Sequence, residues 1–243
     1  MCSSDLKRLP DYFGALPKAP LQIKRVPKAI EAAAPGGYYN QPSLDGTRPG
    51  IYWLNLRDTA EYPKWALPTI TYHEGVPGHH LQLSLQQEAD LPMIRRATFL
   101  SAYGEGWALY AEELAREMGV YEGDPRGEIG YIQSSLFRAA RLVVDTGMHA
   151  KRWSREKAIE TMNAISGTPT TASTTEIERY VVWPGQACSY MVGKLEWLRL
   201  RAKAKAALGE RFDIRKFHDA GLLSGAMPLT VLEAVVDQHI AGS

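Results

Sequence analysis

The segment YHEGVPGHHL, from Tyr72 to Leu81, constrains the fold more than any other part of the chain because it places a helix breaker between histidines. It lies within residues 68–90, which we predict to be the helix that carries the motif. Pro77 removes an amide that would close a helical turn, and Gly78 permits unusual dihedral angles. We therefore expect the helix to bulge at this point.

The same segment predicts a metal site if the bulge brings two histidines together. His73 and Glu74 match the first two residues of the HExxH motif of zinc peptidases. In that motif two imidazoles bind one ion and the glutamate activates water. If two residues loop out, His79 becomes the second ligand. If Pro77 instead begins a new helix, His80 faces the metal. A polar turn that binds no metal is the third interpretation, and all three stay open at this stage.

A third ligand is available in the next predicted helix, residues 98–118. Glu105 is our first choice because glycines flank it and leave room for close approach, and Glu112, on the same helix face, is the second. Most neighbours of Glu105 on this helix are apolar: Tyr103, Trp107, Leu109 and Tyr110. A carboxylate buried among them needs a cation. The residues therefore predict a zinc site formed by His73, His79 and Glu105.

Length, charge, apolar runs and cysteine count limit the kinds of protein that this chain can be. With 243 residues and 45% hydrophobic content, the chain can bury a substantial core, and we expect one domain. Lys and Arg number 28 against 27 Asp and Glu, so no basic field exists to recruit nucleic acid. No apolar run approaches the ~20 residues that span a bilayer. The cysteines, Cys2 and Cys188, are too few for a disulfide framework.

The N-terminal residues predict little regular structure. We interpret residues 1–37 as an irregular leader, rich in proline, that is truncated and partly artefactual, since MCSSDL resembles a translated sequencing adapter. A missing upstream part could include a signal sequence, which would make the protein exported, either periplasmic or a lipoprotein. Without one it would be cytoplasmic. The oligomeric state is not indicated.

Residues 38–243 are predicted to form one mainly α domain with a small β element, residues 51–56, before the motif helix. Further helices are predicted at 127–150, from Ser154 onward, and at 187–208, 213–221 and 228–239. The segment SGTPTTASTT, residues 166–175, predicts a polar loop.

Several motifs resemble one bacterial family. YHEGVPGHHLQ, YGEGWALYAEEL, RAARLVVDTGMH and WPGQACSYMVGK look like the C-terminal half of domain of unknown function 885, with similarity from about residue 38 onward. The resemblance implies a gluzincin-like helical metallopeptidase catalytic domain that binds zinc, often in exported proteins or lipoproteins. EGWALYAE is also similar to the ligand helix of aminopeptidases, which supports Glu105.

In the mechanism that this resemblance implies, Glu74 accepts a proton from the attacking water and passes it to the leaving amine. The developing oxyanion needs a further donor, for which Tyr180, Tyr190 and Arg179 are candidates. We choose Tyr190, since it lies on a downstream helix as the tyrosine donors do in the oligopeptidases that the chain resembles.

Other polar residues are candidates for binding a peptide or a small-molecule substrate. His149 ends a helix near Asp145, a pairing that could orient its imidazole over a cleft. Arg138 and Arg141 could bind a carboxylate or serve as structural partners, and Tyr180 could bind substrate. Two alternatives to a peptidase stay open: a metal-dependent hydrolase of non-peptide substrates, and a noncatalytic helical fragment.

Overall fold

The computed structural model describes residues 7–32, 34–59 and 63–243. Over these residues the chain is mainly helical and contains one small three-stranded sheet, which confirms the predicted fold class at that level. The adapter-like residues 1–6 lie outside the described residues. Within the described ranges, none of the helices combines the length and the apolar character that a membrane span requires.

The sheet contains β1 (Leu21–Arg25), β2 (Gly37–Asn40) and β3 (Gly50–Leu54) in the order β1-β3-β2. The central strand β3 pairs in parallel with β1 and antiparallel with β2. It confirms the strand predicted at 51–56, although it ends earlier. The structure differs from the prediction of an irregular segment 1–37, because β1 lies inside it. The β1 sequence LQIKR alternates apolar with polar residues only from Leu21 to Lys24, in a segment with Pro20 before it and Pro27 after it, so its strand signal is weak.

The helices of the described residues are named in chain order. They are α1 (Leu67–Glu74), α2 (His79–Glu88), α3 (Met93–Ala97), α4 (Ser101–Glu117), α5 (Pro125–Lys151), α6 (Arg155–Ser166), α7 (Thr170–Val182), α8 (Ser189–Leu208), α9 (Ile214–Leu222) and α10 (Leu229–Gly242). The helices predicted from residue 98 onward are confirmed with shifted ends, whereas α7 was not predicted. The Ser154 side chain caps α6 by accepting a hydrogen bond from the Lys157 amide at 3.2 Å.

The predicted motif helix at 68–90 is instead two helices, α1 and α2, separated by residues 75–78. The Val76–Pro77 peptide bond is cis. Gly78 is required for this path, since a Cβ atom there would overlap the carbonyl oxygens of Tyr72 and His73. The Trp107 indole N–H donates to the Pro77 carbonyl at 2.9 Å and ties the break to α4. The expected bulge is therefore a complete interruption of the helix.

The loop prediction for residues 166–175 was wrong over its second half, because α7 begins at Thr170. Ser and Thr have modest helix propensity and favour turns, which is why the segment resembled a loop. Farther along α7, however, Ile177 and Tyr180 are buried against α5 and α6. Burial of this apolar face outweighs the weak propensity of the first turn.

The main core lies where α4 crosses α8, with α2, α9 and α10 packed around them. Trp107 and Trp197 are fully buried there, with their ring centroids 4.9 Å apart. The two helices approach closely at Gly106 and Gly193, where an added Cβ atom would overlap the backbone of the partner helix. This crossing fixes α4, which carries Glu105, relative to α8, which carries Tyr190.

Candidate metal centre

Three predicted ligands converge at the break between α1 and α2. His73 lies in the last turn of α1, His79 begins α2, and Glu105 lies in the second turn of α4; each offers one ligand atom, and these atoms all lie within 4.8 Å of one another. Nε2 of His79 lies 3.2 Å from Oε2 of Glu105, and Nε2 of His73 lies 3.6 Å from the same oxygen. Both histidines are buried and Glu105 is mostly buried.

The helix break decides which histidine faces the cluster. The rings of His73 and His79 are perpendicular, with centroids 4.9 Å apart. His80 is directed elsewhere: its Nδ1 lies 2.8 Å from the Tyr39 hydroxyl, and its Nε2 lies 3.0 Å from the Ala19 carbonyl. The structure therefore brings His79, rather than His80, to His73 and Glu105.

Glu112 holds His73 in position from behind. Its Oε1 lies 2.8 Å from His73 Nδ1, and its Oε2 accepts hydrogen bonds from Thr69 at 2.6 Å and from Ser134 at 2.7 Å. Because the carboxylate can only accept, His73 Nδ1 carries the proton and donates it. When the ring is neutral, the Nε2 lone pair faces Glu105 and His79, as in carboxylate–histidine–metal arrangements.

The cluster concentrates negative charge next to His73. Burial acts to lower the pKa of His73, but its hydrogen bonds to Glu105 and Glu112 outweigh burial and raise that pKa to about 9. Burial opposes ionisation of Glu105, yet the imidazoles of His79 and His73 lower its pKa. Burial likewise opposes ionisation of Glu112, but Arg138 and His73 hold its pKa at about 2. Without a metal ion, a proton on His73 therefore provides the positive charge that these carboxylates require.

Glu74 is buried at the last position of α1. Burial raises the pKa of this carboxyl group, while the charges of His73 and His79 act in the opposite direction. A carboxyl group whose pKa is raised holds a proton more readily, which suits a group that accepts and returns one. The position and the pKa of Glu74 are therefore compatible with the predicted general base.

The donors present fit a zinc ion. Two imidazoles and one carboxylate form the three-ligand set of many catalytic zinc sites, in which the fourth position takes water or substrate. The nitrogen of His79 that faces Glu105 is Nε2, whereas its Nδ1 is buried with no hydrogen-bond partner among the described residues.

Tyr190 forms the side of the site that α8 contributes. Its ring is stacked near the His73 ring, with centroids 6.1 Å apart and an interplanar angle of 20°. Its hydroxyl accepts a hydrogen bond from Nη2 of Arg179 at 3.4 Å, and the guanidinium carbon of Arg141 lies 4.5 Å from its ring centroid. The Tyr190 side chain thus contacts one candidate ligand, His73, and two arginines.

The three predicted substrate-binding residues make other contacts. Arg138 lies behind Glu112, with Nη2 3.6 Å from Oε1, and also donates to Ser134. The Tyr180 hydroxyl accepts from Arg141 at 3.0 Å. His149 Nδ1 lies 2.9 Å from the Asp145 carbonyl oxygen. None of these contacts reaches the three candidate ligands directly, so the substrate roles of Arg138, Tyr180 and His149 stay predictions.

The sequence did not predict the residues that orient the cluster. Thr69 and Ser134, which both bond to Glu112, were not identified, and Glu112 was considered only as a ligand. Helical spacing contained a signal, because Thr69 lies one turn before His73 and Glu112 lies two turns after Glu105. For Ser134, the sequence contains no comparable signal, because α5 meets α4 only in the tertiary structure.

Residues 4–236 match the model of a family described as bacterial protein of unknown function, DUF885. A solved candidate lipoprotein from Colwellia psychrerythraea is 48% identical, with a TM-score of 0.97 over 99% of this chain and 41% of that one. A candidate lipoprotein of unknown function from Shewanella oneidensis, 24% identical, shares the fold, with a TM-score of 0.78 over 96% of this chain and 45% of that one. The chain thus spans less than half the length of both, and no curated protein matches it.

Proposed function

The chain belongs to the DUF885 family of bacterial proteins, and we propose that it is a zinc-dependent hydrolase of peptide bonds. The observation that carries this proposal is the convergence of His73, His79 and Glu105 within 4.8 Å beside the buried carboxyl group of Glu74. Ligand atoms this close can share one ion, and the adjacent carboxyl group supplies the general base that hydrolysis needs.

Each residue has a defined task in this mechanism. When bound, zinc supplies Lewis-acid polarisation of the substrate carbonyl and acidifies a water molecule. Glu74 accepts the proton of the attacking water and returns it to the leaving amine. Tyr190 donates its hydroxyl hydrogen toward the oxygen on which negative charge develops. Glu112 keeps the His73 ring in the orientation that directs Nε2 at the metal position.

The geometry also supports a gluzincin-like catalytic domain, in which two histidines and a glutamate from a following helix bind zinc. Here the histidines come from consecutive short helices, α1 and α2, and the glutamate comes from α4. The broken α1–α2 pair takes the place of an uninterrupted HExxH helix. An exported location is part of the proposal, supported by the candidate lipoprotein that is 48% identical.

The test compares wild-type protein with the Glu74→Gln variant after loading with zinc. We expect the variant to retain zinc and to lose peptide hydrolysis by about 10²- to 10⁴-fold, the usual contribution of a positioned general base. Glu160→Gln, an exposed glutamate on α6, is the control and should behave like wild type. A mixture of peptides and a mixture of esters are both assayed.

Two outcomes contradict the proposal. Undiminished peptide hydrolysis in Glu74→Gln would remove Glu74 from the mechanism. Hydrolysis of esters without hydrolysis of peptides in wild type would assign the site to non-peptide substrates.

A further inference from the structure

A group of charged residues lies next to Tyr190. It consists of Arg141, Glu176 and Arg179, and we call it the arginine cluster. Nη2 of Arg141 lies 2.8 Å from Oε2 of Glu176, and Nη1 of Arg179 lies 3.2 Å from the same oxygen. Among the described residues, Glu176 is the carboxylate within ion-pair distance of these arginines. One carboxylate for two guanidinium groups leaves the arginine cluster with an excess positive charge.

The two arginines that carry this excess charge are buried to different extents. The Arg141 side chain is 6% exposed, and its Nη1 is buried without a hydrogen-bond partner among the described residues. The Arg179 side chain is 24% exposed and therefore lies at the entrance of the cluster. Because a buried charge is costly unless it is paired, the arginine cluster favours the arrival of an anion, and Arg179 is the member that an anion can reach.

The present partners of Arg179 leave a place for that anion. Its Nη1 pairs with Glu176, whereas its Nη2 contacts two neutral acceptors, the side-chain carbonyl of Gln186 and the hydroxyl of Tyr190. A carboxylate is a stronger acceptor of guanidinium hydrogen bonds than either neutral group. Gln186 Nε2 and the Ser101 hydroxyl, 3.4 Å apart, add neutral donors beside the arginine.

Tyr190 connects the arginine cluster to the candidate metal centre. Its ring is stacked near His73 and its hydroxyl contacts Arg179. The Tyr190 side chain therefore separates the candidate ligand His73 from the guanidinium group of Arg179. Since an extended residue spans ~3.3–3.6 Å, a carboxylate held at Arg179 places the reacting bond one or two residues away.

We propose that Arg179, assisted by Gln186, binds the free C-terminal carboxylate of the peptide substrate, so that the enzyme removes one or two residues from the C-terminal end. This inference rests on the proposed function and adds to it the class of substrate and the direction of cleavage. The same chemistry would accept an acidic side chain, which the experiment separates from a C-terminal carboxylate.

The first experiment measures binding, which does not require turnover. Calorimetry with zinc-loaded Glu74→Gln protein compares acetyl-Ala-Phe as the free acid, the same dipeptide as the amide, and acetyl-Ala-Glu as the amide. We expect the free acid to bind roughly 10- to 100-fold more tightly than either amide, the usual effect of a hydrogen bond to a charged group. Equal affinities, absence of binding by all three, or tight binding of the glutamate amide would overturn the proposal.

Variants then assign the selectivity to Arg179. Adding Arg179→Gln should abolish the difference between acid and amide, and Arg179→Lys should restore part of it because the charge returns without the planar fork. The matched control is Arg155→Gln. Arg155 is an exposed arginine on α6 that pairs with Glu178, the neighbour of Arg179 on α7. Loss of acid binding in the control as well, or selectivity that persists without Arg179, counts against the assignment. Thermal unfolding of each variant identifies any that fail to fold. The comparison of the three ligands itself needs no change at Arg179.

The hydrolysis assay separates failure of the subsite from failure of the proposed function. In protein with Glu74 intact, Arg179→Gln should raise KM for free-acid peptides and lower kcat/KM for them by a larger factor than for the matching amides. Equal cleavage of acids and amides by wild type would contradict carboxylate binding by Arg179 and remain consistent with peptidase activity. Selective binding of acids without any cleavage would support carboxylate binding by Arg179 and contradict the proposed peptidase activity.

Discussion

At the scale of single residues, Glu112 organises the candidate metal centre although we do not place it among the ligands. It is fully buried and contacts one imidazole, two hydroxyls and the guanidinium of Arg138. Each partner donates a hydrogen bond or provides positive charge, so the buried carboxylate is well satisfied. The orientation of His73 depends on this arrangement.

We predict that Glu112→Gln weakens zinc binding by about 10- to 100-fold, the usual effect of losing the partner of a metal-binding histidine. The amide preserves the size of the side chain but removes the charge that holds the His73 proton on Nδ1. A competition titration with a chelator of known affinity measures the change. Glu117→Gln, a surface residue on the same helix that pairs with Arg201, is the control. An affinity equal to that of wild type would show that Glu112 is only a packing residue.

The pKa of His73 predicts that zinc binding releases a proton. The metal-free pKa of about 9 means that the imidazole is protonated at pH 7, whereas a metal ligand must be neutral. The apparent affinity for zinc should therefore rise between pH 7 and about 9 and level off above it. Calorimetry in buffers with different heats of ionisation counts the released protons. Heat that does not depend on the buffer at pH 7 would contradict the assignment of this proton to His73.

At the scale of secondary-structure elements, the site depends on two close approaches that glycines permit. Gly78 lets the chain pass the end of α1, so that His79 returns to His73. Gly106 and Gly193 let α4 and α8 cross closely, which brings Glu105 and Tyr190 to the same site. Side chains at these positions would move whole helices rather than single ligands.

We therefore predict that Gly193→Ala lowers the free energy of unfolding by about 1–3 kcal/mol, the usual cost of overpacking a core contact. The added methyl group would overlap the Ala102 carbonyl and the Gly106 backbone. Gly242→Ala, where an added Cβ meets nothing nearby, is the control. Denaturant unfolding followed by circular dichroism measures both. A Gly193→Ala protein as stable as wild type would mean that the crossing is loosely packed.

At the scale of the whole molecule, the sequence contained the chemistry of the site but not its support. The candidate ligand residues were identifiable because His, Glu, Pro and Gly have distinct chemical or conformational properties, and the apolar spacing of α4 indicated that Glu105 lies among buried side chains. Whether His79 or His80 completes the cluster depended on the path between α1 and α2. That path is set by contacts such as the one from Trp107 to Pro77, which only the tertiary structure provides.

Other features were inaccessible from the sequence for the same reason. Strand β1 is defined by its pairing with β3 rather than by its own pattern, and α7 is stabilised by burial of Tyr180 against distant helices. The arginine cluster forms because α5 and α7 lie side by side, so that Arg141 and Arg179 share Glu176. Contacts between elements far apart in the sequence carry no local signal.

The central claim, that His73, His79 and Glu105 bind one metal ion, is tested most directly by the zinc content of two neighbouring variants. After loading with zinc and removal of excess metal, elemental analysis of His79→Ala should find far less than one zinc per chain. His80→Ala, whose imidazole bonds to Tyr39 and Ala19 instead, should keep one zinc per chain, as should wild type. Circular dichroism verifies that both variants are folded. A full equivalent of zinc in folded His79→Ala, or its loss only in His80→Ala, would contradict this ligand set.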